Sequence, residues 1–140
     1  MAKEKGLQIP VVYNCGGYET VETLKSLEGL VDIYLPDLKY ADDRLGTSLS
    51  GAPDYFAVAT AAIREMVRQV GAPQWEGERL KKGVIIRHLI LPGNLDNTFG
   101  VLDWVAETFS PALCEMEGGA IAQVCLRNGV KFSALKSVSD

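Results

Sequence analysis

Three short apolar runs, each followed by a stretch with helical spacing, constrain the fold of this chain more than any other feature. Residues 9–14 (IPVVYN), 31–36 (VDIYLP) and 83–91 (GVIIRHLIL) read as strands. After the first, Tyr18–Leu27 repeats apolar residues at Val21, Leu24 and Leu27 and stops at Gly29. After the second, Pro53 and Asp54 open a stronger helix with Phe56, Ala59, Ile63, Met66, Val67 and Val70 on one face and Gly71 as its stop. After the third, Asp96 or Asn97 caps a helix that buries Val101, Leu102, Val105 and Phe109 and ends before Pro111. Residues 42–50 and 72–82 are polar or charged and read as loops. The alternation predicts an α/β fold with a parallel sheet and right-handed crossovers. Strands that are apolar on both faces predict helices on one side and a barrel or sheet core on the other.

With 140 residues the chain has room for one domain with a real core. A net charge of −4 argues against a nucleic-acid partner, which calls for a basic patch. No apolar run reaches the roughly 20 residues that span a bilayer, and the charged start MAKEKGLQIP reads as neither signal peptide nor anchor. A cytoplasmic protein without membrane contact is the expectation. Three cysteines (Cys15, Cys114, Cys125) at irregular spacing form neither a disulfide framework nor a metal cluster, and one histidine makes a zinc site improbable.

Chemistry is expected at the carboxyl ends of the strands. In 31–40 (VDIYLPDLKY), alternate side chains share a face, so Ile33, Leu35, Asp37 and Lys39 point one way. By the same alternation the first run presents Asn14, and the third presents Arg87 with Ile85, Leu89 and Leu91, while His88 points to the opposite face. An Asn, an Asp, a Lys and an Arg at one rim suit a zwitterionic or anionic ligand. Each also has a plainer reading. Asn14 beside Gly16-Gly17 satisfies a turn, Arg87 and Asp37 pair only with each other, and His88 is a structural residue facing a helix. Arg64, Glu65, Arg68 and Gln69 read as the solvated face of the long helix. Cys15 lies near the rim, with no neighbour in sequence to lower its pKa. A Schiff-base role for Lys39 is a separate enzymatic alternative.

Three segments carry a family resemblance: YNCGGYETVETLKSLEGLVDIYLPDLKYAD, REMVRQVG and KKGVIIRHLILPG. In this order, over about Lys5 to Pro111, they resemble radical S-adenosylmethionine proteins of the pyruvate formate-lyase activating enzyme-like branch. The resemblance implies a partial (β/α) TIM-like barrel, of which about three β/α units fall in residues 1–111. It also implies a 4Fe-4S cluster, and S-adenosylmethionine cleaved reductively to a 5′-deoxyadenosyl radical. Asp37 and Lys39 match the Asp-Leu-Lys that holds the methionine end of the cofactor, the Asp through a monovalent cation. Asn14 and Cys15 match the Asp-Thr that completes the cation site, and Arg87 and Leu89 match residues lining the cofactor pocket.

The family's CxxxCxxC loop, whose thiolates hold the cluster, has no counterpart in the chain, and the first two barrel units lie upstream of the matched segment. The expectation is therefore an internal piece of such a barrel, followed by an unmatched, weakly structured tail over residues 112–140 in which only Ile121–Leu126 resembles a strand. It would act on a protein substrate of the activase type when joined to the missing cysteines. The alternative is a truncated, non-catalytic binding or vestigial protein. An open three-strand piece leaves unpaired edges, which predicts self-association of the isolated chain.

Overall fold

The structure, a computed structural model, describes residues 5–109 and residue 129. Along the described chain run β1 (Val12–Cys15), α1 (Val21–Ser26), β2 (Ile33–Pro36), α2 (Asp43–Ser50), α3 (Tyr55–Val70), β3 (Gln74–Glu76), β4 (Arg79–Val84) and α4 (Leu95–Phe109). The strands form one sheet in the order β1-β2-β4-β3. Strand β2 pairs parallel with β1 on one side and with β4 on the other, while β3 adds to β4 antiparallel. The fold is mixed α/β around a small, mostly parallel sheet. The tail from residue 112, with its expected strand at 121–126, lies outside the described residues, as do Cys114 and Cys125.

The three expected strands and three expected helices are present with shifted ends, and two stretches read as loops are ordered. Residues 43–50 form α2. Asp42 caps it by accepting from the Arg44 N–H at 2.8 Å, and Gly51 ends it in the left-handed conformation. Gly, Ser and Thr in its sequence hide the helix from a propensity reading. Within it Gly46 is buried so closely that a Cβ there would lie 2.7 Å from the Ala52 carbonyl oxygen. In the expected loop 72–82, β3 and the first part of β4 make a hairpin that turns through Gly77, with Lys81 and Glu76 paired at 2.7 Å. Strand β3 is exposed, and the first part of β4, half-buried, carries Arg79, Lys81 and Lys82, so neither shows the apolar alternation that announces a strand.

The third expected strand, 83–91, is displaced for the same reason. Its ladder starts at Arg79 and ends at Val84, and pairing continues only as a bridge between Asp37 and Arg87. Helix α4 begins at Leu95, which puts Asp96 and Asn97 inside its first turn rather than at its cap.

Two apolar clusters form the core. One holds Leu24, Val31, Tyr34, Ala62, Met66 and Val70, so α1 and α3 cover the sheet face that carries Tyr34. The other, beyond the strand ends, gathers Leu38, Tyr40, Ala52, Tyr55, Ala59, Ile63 and Val101. The opposite sheet face departs from the expectation of cover on both sides. There Val12 is 53%, Ile85 46% and Leu89 55% exposed around a buried Ile33, so among the described residues much of this face is open.

Helix α3 also holds a polar group that the sequence places on a solvated face. Glu65 is buried and accepts from Arg68 and Gln69. Arg68 reaches Glu28 at 2.9 Å, and Gln69 accepts from the Tyr34 hydroxyl and donates to the Leu24 carbonyl. Arg64 lies over the Trp104 ring of α4. These four side chains therefore tie α3 to its neighbours rather than to water alone. Among the described residues no helix is long and apolar enough to cross a membrane.

Candidate functional site

The open face carries a polar network where the parallel strands end. Period-two alternation puts Asn14, Asp37 and Arg87 on this face; the parallel register sets Arg87 level with Asp37 and Asn14 level with Leu35, one step back on the same face. Arg87 donates through Nε to Asp37 Oδ1 at 2.9 Å, and its Nη2 is 2.6 Å from the same oxygen. Nη2 also donates to Asn14 Oδ1 at 2.8 Å. Lys39 Nζ stands 3.4 Å from Asp37 Oδ2. One carboxylate thus meets two cations, leaving an excess of positive charge. The side chains of Asp37, Lys39 and Arg87 are 23%, 34% and 43% exposed, so a ligand reaches them without rearrangement of the core.

The other named candidates fall elsewhere. Cys15 follows Asn14 in the strand and so faces the helices, packing against the cluster around Tyr34. Burial pushes its thiol up to about 12, and nearby Glu19 and Asp37 add to the effect. Its backbone carbonyl accepts from the Asp37 N–H at 3.1 Å, so Cys15 touches the site through its main chain. Leu89 lies beyond the last bridge and is exposed. Lys39 is ion-paired with Asp37 and partly solvated. The Arg87–Asp37 pair does form, but not with each other alone as the plainer reading has it: Asn14 joins through Arg87 and Lys39 through Asp37.

Beyond β2 the backbone leaves the sheet, and its polar groups need other partners. Three side chains supply them. The Tyr55 hydroxyl accepts from the Lys39 N–H at 3.1 Å and faces the carbonyls of Asp37 and Gly16 at 3.1 and 3.0 Å. His88 meets the Leu38 carbonyl at 2.6 Å and Thr98 at 3.1 Å, the structural role that its place opposite Arg87 implies. Buried Asn97 accepts from the Ala41 and Asp42 N–H groups and donates to the Lys39 carbonyl at 3.0 Å. Tyr55 and Asn97 have no signature as support residues in the sequence, because their partners are backbone atoms of a distant segment. Gly17 completes the arrangement: it is buried with φ 83°, and a Cβ there would lie 2.0 Å from the Asp37 carbonyl oxygen.

Among the described residues no group of three His, Cys, Asp or Glu side chains could hold a metal ion. The donor set therefore does not fit an iron–sulfur cluster. The Asp37 carboxylate is also engaged by Arg87 and Lys39, the groups with which a monovalent cation would compete. A zwitterion fits better, since Arg87 Nη1 and the Lys39 ammonium remain to meet a carboxylate while Asp37 and Asn14 offer oxygens to an amine. A shallow depression of about 510 Å³ lined by Asp42, Arg44, Asp96 and Asn97 lies apart from the network.

A stretch of 106 residues, 75% of the chain, is 33% identical to an uncharacterized protein of Methanocaldococcus jannaschii. The chain spans about 28% of that relative's length. No protein-family model and no solved structure matches the chain.

Proposed function

We propose that this chain forms part of a (β/α) barrel of the radical S-adenosylmethionine type, and that its open sheet face binds the methionine end of S-adenosylmethionine. One observation carries the reading: Asn14, Asp37 and Arg87, from three adjacent parallel strands, converge at their carboxyl ends on the uncovered face, with Lys39 beside them. A parallel sheet with helices on one face and an open, partly apolar second face has the layering of a barrel segment. The resemblance of the DLK and IIRHLILPG segments to that family supplies the identity of the ligand.

In this reading Arg87 and Lys39 hold the α-carboxylate, and Asp37 with Asn14 orients the α-ammonium. The cofactor, when bound beside a reduced 4Fe-4S cluster, supplies hydrogen-atom abstraction. The described residues contribute binding and orientation to that chemistry, and the cluster's ligands are not among them. A protein substrate of the activase type belongs to the same proposal.

Titration calorimetry of the purified chain with S-adenosylmethionine tests it. Saturable binding is expected, weakened about tenfold or more by Arg87→Met, which removes a charge-assisted contact. Absence of binding by the wild-type chain, or equal binding by the variant, overturns the reading.

A further inference from the structure

We propose that Tyr55 is a positioning residue for the candidate site, setting ligand affinity through its hydroxyl without touching the ligand. Its ring is buried between neighbours, stacked on Tyr18 with centroids 5.7 Å apart and edge-on to Tyr40 at 5.0 Å. The oxygen is thereby fixed at the point where two strand ends meet. It accepts from the Lys39 N–H, and its one proton is shared between the carbonyls of Gly16 and Asp37. Gly16 belongs to the turn after β1, two residues beyond Asn14. Asp37 and Lys39 are the residues that leave β2. One hydroxyl therefore holds the backbone of Asp37 and Lys39, two of the four polar residues of the network, and ties both to the turn that follows Asn14.

The alternatives for that spacing are limited. The bonds from Asp37 N to Cys15 O and from Leu38 N to Arg87 O fix residues 37 and 38 to the neighbouring strands. Neither bond reaches Lys39 N or the Gly16 carbonyl. Among the described residues these two groups meet through Tyr55. Without the hydroxyl a part-buried N–H and two carbonyls lose a partner, and the Gly16-Gly17 turn is free to shift against residue 37. The side chains of Asn14, Asp37 and Lys39 then lose their common register, while the apolar core that retains the phenyl ring is unchanged.

This inference rests on the ligand reading for its affinity readout but not for its structural one. The test is Tyr55→Phe in the full chain, with Tyr40→Phe as control, since the Tyr40 hydroxyl meets Ser50 and not the network. The Arg87 side-chain Nε–H and Lys39 amide signals are followed by 1H–15N NMR without ligand, and binding is measured with S-adenosylmethionine as probe. Y55F is expected to speed hydrogen exchange of both signals about tenfold or more and to raise the Kd about tenfold, as loss of a hydrogen bond of this kind implies. Y40F is expected to do neither at a comparable loss of thermal stability. If wild type binds no S-adenosylmethionine, the ligand reading fails, and the exchange rates alone decide the role of Tyr55. Unchanged Arg87 and Lys39 signals in Y55F, or equal changes in Y40F, overturn the proposal. If Y55F does not fold, Tyr18→Leu, which removes the stacked ring but keeps the hydroxyl, is expected to produce the same exchange signature in weaker form. Its absence there also overturns it.

Discussion

Asp37 and Arg87, 50 residues apart in sequence, are joined twice: as backbone partners in a parallel bridge and as an ion pair 2.6 Å long on the open face. The backbone bridge fixes where the two side chains emerge, so the pair does not depend on long side chains finding each other. An ion pair this exposed adds only about 0–1 kcal/mol to stability. In the proposed reading the pair's place at the strand ends serves ligand binding, and its contribution to the fold is small.

The backbone that presents Lys39 depends on Asn97. Asn97→Ala strands the Ala41 and Asp42 N–H groups and the Lys39 carbonyl. A loss of about 2 kcal/mol or more is expected in urea unfolding, from buried groups left without partners. A change within a few tenths would contradict the support role given to this side chain.

The turn after β1 should be sensitive at one glycine and tolerant at its neighbour. Gly17→Ala combines a positive φ with a clash at the Asp37 carbonyl, whereas a Cβ at Gly16 meets nothing within 4 Å. Thermal melts should show a loss of about 2 kcal/mol or more for Gly17→Ala and about 0.5 kcal/mol for Gly16→Ala. Equal effects would mean that the turn does not press on the strand end.

The α3 clasp predicts a dependence on acid. Hydrogen bonds from Arg68 and Gln69 hold the Glu65 carboxyl at about 2, below the ordinary glutamate value. A folded-state pKa below the unfolded one contributes stability that is complete above the unfolded value, about 4.3. That contribution is lost as pH falls toward 2. Wild type should therefore exceed Glu65→Gln in chemical unfolding at pH 7, and the gap should close between pH 4.5 and pH 2. A gap independent of pH would contradict the assignment.

Cys15 should resist alkylation. Its thiol, half-buried and pushed up to about 12, is almost wholly protonated at pH 8. Mass spectrometry of the Cys15 peptide after iodoacetamide should show slow labelling of the folded chain and rapid labelling in denaturant. Rapid labelling of the native protein would place the thiol on the open face instead.

The sequence revealed side chains that a strand presents by period two, and concealed those that act on distant backbone. Asn14 was legible because it sits on a strand, Asp37 and Arg87 because they continue the alternation of β2 and β4 as a bridge just beyond them, and His88 because it alternates with Arg87. Tyr55 and Asn97 were not, since a hydroxyl or amide bonded to backbone groups 16 to 58 residues away leaves no local pattern. Helix α2 was hidden by residues of low helix propensity, and the β3–β4 hairpin by the exposure of β3 and the charged residues of β4. Glu65, Arg68 and Gln69 show the limit of reading charge as solvation. Their spacing of three and four along the helix lets them satisfy one another and then reach α1 and β2.

The most direct test of the central claim is a 1H–15N NMR titration of the full chain with S-adenosylmethionine. The account predicts saturable shifts concentrated at Asn14, Gly16, Asp37, Lys39 and the Arg87 side chain, with the α1–α3 clasp undisturbed. Saturable shifts centred elsewhere, such as the depression beside Asp42 and Asp96, or no shifts at millimolar ligand, would contradict it.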